Sequence, residues 1–235
     1  MQVSISPKIV EKYPSYTLYL IYGIGVQVSS YNQAIDDLLR AQEEMICSTF
    51  ANSSVAEHPN IASWRDTYSS FGSKPSKYHC AVESLSHAVI KRGSLPRINT
   101  LVDLCNAMAL KYVLPIDVMD VDQLAGDVQV LFSSGTENFL PLGSREIEHP
   151  DVGEVIYADD TDVLGRRWNW RKCDKNKVTL NTKTFLITVE GIGKTPQCIP
   201  QQAAEELAGS ISRFFKVPTE IKDLGCHNTS TQFQN

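Results

Sequence analysis

Most of the helical periodicity in this chain lies before Pro115 and most of the strand-like alternation after it, which narrows the folds open to it. Helical spacing predicts segments over "YNQAIDDLLRAQEEMICSTF", capped by Ser29 or Ser30, over "HPNIASWRDTYSSFG", ending at Gly72, and over Ala81 to Lys91. In "LPRINTLVDLCNAMALKYVLP", Ile98, Val102, Cys105, Ala109 and Tyr112 recur at helical spacing, and Leu101, Leu104 and Met108 widen the apolar face into that of a mostly buried helix. The earlier stretch "YTLYLIYGIGVQV" (16–28) reads as a strand, interrupted at Gly23 or Gly25. After Pro115, "GDVQVLF" (126–132), "GEVIYAD" (153–159), "KVTL" and "KTFLITVEG" (183–191) read as strands separated by short turns such as "SSGTEN". In the last of them Phe185, Ile187 and Val189 take one face, and Thr184, Leu186, Thr188 and Glu190 the other. A helix follows at 199–215, and the tail after Lys216 carries little pattern and is expected to fray. Helices followed by strands with short connections predict an α+β fold, a mixed or antiparallel sheet flanked by helices.

The length of 235 residues suits a single domain over 1–235, with a core at 60–191, an N-terminal strand and helix at 15–50 and the C-terminal helix at 199–215. Six cysteines (47, 80, 105, 173, 198, 226) form no CxxC pair, and no charged n-region precedes an apolar core at the start, so the reading is a reduced, cytoplasmic protein with no membrane span. Nothing in the sequence points to a cofactor. The "GIG" at 23–25 lacks the third glycine of a dinucleotide fingerprint. For a metal, "DVMDVD" (117–122) departs from a calcium loop, Asp120 reads as a turn cap, and His79 and His87 read as surface residues rather than ligands.

Two polar features stand out. Asn99, Asp103 and Asn106 fall at i, i+4 and i+7 on the otherwise apolar helix, so they share a face. Such a stripe either bonds a neighbouring loop or strand or floors a polar pocket. The second feature is "GRRWNWR" (165–171), within a segment from Val163 to Lys183 that holds seven Lys/Arg and one acid in a chain of net charge −5. On an extended chain Trp168 and Trp170 share one face and Arg167, Asn169 and Arg171 the other. The tryptophans are either core or a stacking platform for a base. The cations, Arg166, Arg167 and Lys172 among them, are either paired or a phosphate-binding surface.

The stretch "RINTLVDLCNAMALKYVLPIDVMDVDQLAGDVQVLFSSGTENFLPLG" resembles the centre of the B3/B4 domain of the phenylalanyl-tRNA synthetase β subunit, at Ile98, Asn99, Leu101, Val102, Asp103, Asn106, Pro115, Asp120, Leu124, Gly126 and Val128. "TFLITVE" is similar to a later strand of that domain, in which Glu lies six residues after Thr, here Thr184 and Glu190. "HPNIASWRDTYSSFGSKPSKYHCAVESL" and "RRWNWR" resemble hallmarks of its free-standing relatives, and the likeness runs from about residue 15 to 215. It implies an α+β domain whose pocket takes the aminoacyl end of a tRNA. The implied activity is hydrolysis of a mischarged aminoacyl-tRNA by water, with no protein nucleophile.

Carried over position by position, the family's editing glutamate falls on Glu190, expected to hold the substrate amino group or orient water. The family's histidine falls on Asp117, a carboxylate in its place, and the two are the catalytic candidates. Asn99, Asp103, Asn106, Trp168, Asn169, Trp170, Arg171 and Thr184 are the substrate-binding candidates, and Arg166, Arg167 and Lys172 the RNA-binding ones. The family's arginine falls on Pro96, with Arg97 beside it as a substitute, and its glycine-rich pocket loop falls near "RRWNWRKCD". Alternatives are a non-catalytic module binding tRNA or an amino-acid-like ligand, and a structural domain of a larger complex.

Overall fold

The computed structural model describes residues 1–234. In chain order the elements are β1 (Gln2–Ile5), α1 (Pro7–Lys12), β2 (Thr17–Ile24), α2 (Gln33–Thr49), α3 (Pro59–Ser70), α4 (Ala81–Arg92), α5 (Thr100–Tyr112), β3 (Ile116–Asp120), β4 (Val128–Phe132), β5 (Val155–Ala158), β6 (Val163–Arg166), β7 (Arg171–Lys172), β8 (Thr184–Gly191), α6 (Cys198–Phe215), β9 (Glu220–Leu224) and β10 (Ser230–Gln232). They build an α+β fold with two sheets: a six-stranded one in the order β10-β1-β4-β5-β6-β7 and a four-stranded one in the order β3-β8-β2-β9. The small sheet is antiparallel throughout. The large one is mixed, because β1 and β4 run parallel.

Alternation along β8 sets the layering. Phe185, Ile187 and Val189, with Ile21 of β2 and Ile116 and Val118 of β3, pack against Leu101, Leu104 and Met108 of α5 and Ala204, Leu207 and Ile211 of α6. The opposite face, through Leu18, Leu20, Met119 and Leu186, packs against Val128, Val130, Val155, Tyr157 and Leu164 of the large sheet. The small sheet is therefore the middle layer, buried on both sides, and any polar side chain on its inner face sits between two sheets. Glu190, Thr188 and Asp117 occupy that face, because Asp117 pairs across to Thr188 in the β3–β8 register.

Several boundaries differ from the sequence reading. β2 runs on through Gly23, over which the Phe185 ring lies, 2.5 Å from where a Cβ would stand. Helix α2 is capped not by Ser29 or Ser30 but by Asn32, whose side chain accepts from the amides of Ala34 and Ile35. "KVTL" forms no strand. Most consequentially, the tail is ordered. β9 adds to the edge of β2, and β10 pairs with β1. Phe233 is buried, stacked on Tyr22 with ring centroids 4.9 Å apart. Edge strands with exposed outer faces lack the apolar alternation that marks a strand in sequence, and their partners lie about 200 residues away or more.

Candidate functional site

Between the two sheets, where β3 and β8 face the β6–β7 hairpin, lies a cleft of about 130 Å³ lined by Asp117, Tyr157, Trp168, Trp170, Lys172 and Glu190, among others. A void of roughly 150 Å³ holds a benzene-sized group, so the cleft suits a small head group rather than a whole nucleotide.

Glu190 closes its inner end, 2% exposed. Its Oε1 accepts from the hydroxyls of Tyr16 at 2.7 Å and Tyr157 at 2.6 Å, and its Oε2 from Asn169 Nδ2 at 2.6 Å. Asn169 is itself oriented by Tyr68, whose hydroxyl donates to Oδ1 at 3.0 Å. The two tyrosine oxygens lie 2.9 Å apart, so three oxygens form a closed triangle holding only two hydroxyl protons when Glu190 is ionised. Burial pushes the Glu190 carboxyl above its ordinary value, while the bonds from Tyr157, Tyr16 and Asn169 pull the other way. Burial likewise holds both tyrosine hydroxyls well above their usual range, so they stay donors. Oε1 is fully used. Oε2 has accepted one bond and retains a lone pair, and none of the groups bonded to the carboxylate carries a positive charge.

At the mouth, Asp117 is paired with Lys172, whose Nζ lies 2.9 Å from both carboxylate oxygens and also donates to the Val118 carbonyl. Arg171, 39% exposed, pairs with Glu148 at 2.9 Å. Trp170 meets Tyr78 edge-on at 4.7 Å.

The hairpin is not the extended segment that alternation implied. Arg167 and Trp168 both adopt left-handed φ values, 48° and 66°, and the chain turns there. The turn drives Trp168 into the core, against Tyr16 at 4.7 Å, Tyr13 at 5.2 Å and Trp64 at 5.3 Å, while Trp170 stays at the cleft. The tryptophans thus divide, one packed inside and one at the rim.

The basic segment carries far less free positive charge than its composition suggested. Arg166 and Arg167 are buried and share the buried carboxylate of Glu154, with Glu148 and Asp151 as outer partners. Lys175 pairs with Asp159 and Asp162, and Lys177 with Asp174. Carboxylates mostly just upstream of the segment, between Glu148 and Asp162, neutralise a cluster that looks cationic on its own.

The polar stripe of α5 also resolves differently. Asn99 is the N-cap: its Oδ1 accepts from Val102 N at 3.0 Å, and its Nδ2 donates to the Val178 carbonyl. Asp103 accepts from Ile98 N at 3.0 Å. Both therefore hold the start of the helix and line no part of the Glu190 cleft. Asn106 lines a separate, largely apolar cleft of about 240 Å³ on the other side of the Asp117–Lys172 pair. Thr184 begins β8, six residues and roughly 20 Å from Glu190, beside Asp122. Arg97 is held by Asp36 and Glu43 of α2, so it does not substitute for a pocket arginine. Asp120 does cap its turn, accepting from Asp122 N and Thr182 Oγ1.

Of the sequence candidates, Glu190, Asp117, Asn169, Trp168, Trp170, Arg171 and Lys172 meet at the cleft. Tyr16, Tyr68 and Tyr157, which hold Glu190 and Asn169, were missed. Each reads as an ordinary strand or helix aromatic, and only the tertiary packing brings the Tyr16 and Tyr157 hydroxyls to the Glu190 carboxylate and that of Tyr68, on α3, to Asn169.

A family model described as the B3/4 domain matches residues 63–206. Among solved structures, an N-terminal fragment of the phenylalanyl-tRNA synthetase beta-subunit from Pyrococcus horikoshii aligns with a TM-score of 0.48 and 13% identity, over 92% of this chain and 49% of that fragment. The chain thus spans about half the length of that structure. No curated protein matches the chain.

Proposed function

The chain belongs to the B3/4 domain family, and on that premise we propose that it binds the aminoacyl end of a tRNA and hydrolyses the ester of a wrongly attached amino acid. The observation that carries this reading is Glu190: a buried carboxylate at the end of a small cleft, held by three neutral donors and no cation. A buried anion without a cationic partner is costly, so the site favours a ligand that brings positive charge. The α-ammonium of an aminoacyl group does so, and Oε2 has the lone pair to receive it.

In the reaction, water adds to the ester carbonyl carbon. The tetrahedral intermediate then collapses with cleavage of the bond to the ribose oxygen, which takes up a proton. A free amino acid and a tRNA with its terminal hydroxyl restored are released. Glu190 positions the amino group or the attacking water through Oε2. Tyr16 and Tyr157 fix the carboxylate so that no rearrangement is needed at the transition state. Arg171 and Lys172, at the mouth, would meet the terminal phosphates in place of the buried Arg166 and Arg167, each by giving up its carboxylate partner, Glu148 or Asp117.

A second reading, a non-catalytic module for tRNA or an amino-acid-like ligand, is favoured by one observation. Asp117, where the family has a histidine, is held in an ion pair with Lys172 rather than free to take a proton. Single-turnover hydrolysis across a panel of correctly and wrongly charged tRNAs separates the two. Hydrolysis by the wild type and its loss by on the order of 10²-fold in Glu190→Gln, with tRNA affinity retained, supports the deacylase. Binding without hydrolysis of any charged tRNA leaves the binding module.

A further inference from the structure

On the loop before α4 and along that helix, His79, Glu83 and His87 bring one imidazole nitrogen, one carboxylate oxygen and a second imidazole nitrogen within 4.8 Å of one another. His79 lies two residues before α4 and His87 one turn beyond Glu83, and both rings reach towards the Glu83 carboxylate. Their centroids are 5.2 Å apart. Glu83 Oε1 lies 3.7 Å from His87 Nε2 and 4.0 Å from His79 Nε2.

We propose that these three side chains bind a late first-row divalent cation, Zn²⁺ being the physiological choice. A tetrahedral zinc with ligand bonds of about 2.0–2.2 Å sets its ligand atoms roughly 3.4 Å apart. The spacings here exceed that by a few tenths of an ångström at Glu83. The two imidazoles that must move are partly exposed, at 33% and 47%, and free to rotate. Two imidazoles and one carboxylate select Zn²⁺ or its neighbours over Mg²⁺ and Ca²⁺, which prefer an all-oxygen shell.

The second observation is the state of Glu83. It is fully buried, and its Oε2 receives no hydrogen bond. Arg65 Nη1 donates to Oε1 at 2.5 Å, and no other donor reaches the carboxylate among the described residues. The oxygen nearest both imidazoles is Oε1, which Arg65 holds, so an ion between the rings either shares Oε1 with Arg65 or turns the carboxylate to use the orphaned Oε2, which has no donor to lose. Arg65 opposes it by charge repulsion, which lowers the affinity below that of a structural zinc site.

Such an ion ties the 73–80 loop to α4 and acts on the cleft through it. Tyr78, next to His79, packs against Trp170 and lies under the Arg167 guanidinium at 3.8 Å, and Ala81 lines the cleft wall. The assignment does not depend on the deacylase reading.

The test is titration of the full chain, carrying Cys47→Ser, Cys198→Ser and Cys226→Ser to remove exposed thiols, with Zn²⁺ by calorimetry and Co²⁺ by visible absorption. One equivalent is expected to bind. His79→Ala and His87→Ala should each weaken it at least tenfold, and the double variant should abolish both binding and the rise in Tm caused by Zn²⁺. His227→Ala should bind as the parent does. A parent that takes up no ion, or a His79→Ala/His87→Ala variant that binds equally well, overturns the assignment.

Discussion

Replacing Glu154 by Gln should unfold this protein more readily than most single changes on its surface, and the reason lies in two arginines. Glu154 is 1% exposed. Its carboxylate accepts from Arg166 Nε at 3.0 Å and Nη2 at 3.1 Å, and Arg167 Nη1 stands 3.3 Å away. Glutamine preserves the shape but removes the charge and turns one oxygen into a donor facing donors. Breaking a buried ion pair from one side costs about 3–5 kcal/mol, because the other charge stays behind. Arg166 keeps Glu148, and Arg167 keeps Asp151 and Ser73, which places the loss near the lower end, about 3 kcal/mol. For a chain of this size that is a drop in Tm of roughly 6–12 °C. In urea the midpoint should fall by roughly 1 M or more, with an unchanged slope. Lys177→Ala, which removes an exposed pair with Asp174, is the control and should move stability by less than about 0.5 kcal/mol. An unchanged midpoint for Glu154→Gln would refute the reasoning. The arginines would then be solvated and available to phosphates after all.

Glu190→Gln should change how stability varies with pH. Because burial raises the carboxyl in the folded state, its contribution is fully present below the unfolded pKa and lost as pH rises through the folded one. The wild-type unfolding free energy from urea titrations should therefore fall relative to that of Glu190→Gln as pH rises from the ordinary carboxylate range upward, by at most about 1.4 kcal/mol per pH unit; parallel curves would exclude a raised carboxyl. Asn99→Ala removes a helix cap and the bond to Val178 and should cost about 1–3 kcal/mol by chemical denaturation. Asn106→Ala should lie within about 0.5 kcal/mol of wild type, since no hydrogen bond reaches its side chain among the described residues. If tRNA is the ligand, Lys172→Met should weaken binding and reduce the log–log salt slope by about 0.7–0.9, the signature of one lost phosphate contact; an unchanged slope would place the RNA elsewhere.

The parts of the fold legible in sequence were those whose signal is local. Helix α5 and strand β8 carry strong periodicity because each buries a face along its whole length, and β8 told in advance that Glu190 shares a face with Thr188. Strands β9 and β10 were not legible. Their pairing to β2 and β1 is made by backbone bonds that any side chain permits, and the outer face meets solvent. The α5 stripe proved not to act as one polar face, since Asn99 and Asp103 hold the helix start and Asn106 lines a separate cleft. Whether it capped the helix or floored a pocket depended on what stands beyond Asn99, namely the Val178 carbonyl.

The site divides in the same way. Sequence alone determined that Glu190 shares a strand face with Leu186 and Thr188 and that the chain has the residues of a B3/4 domain. It determined the content of the basic hairpin, but not its charge as a surface. Tertiary structure decided that Arg166 and Arg167 turn inward to Glu154, that a left-handed turn sends Trp168 to the core and leaves Trp170 at the rim, and that three tyrosine hydroxyls hold Glu190 and Asn169. The physical reason is range. Periodicity and capping act over a few residues, whereas the partner of a buried charge is chosen by whichever layer is folded over it. Here the large sheet is folded over Glu190, whereas Glu154 is met by Arg166 and Arg167 from the neighbouring strand of its own sheet and the turn after it.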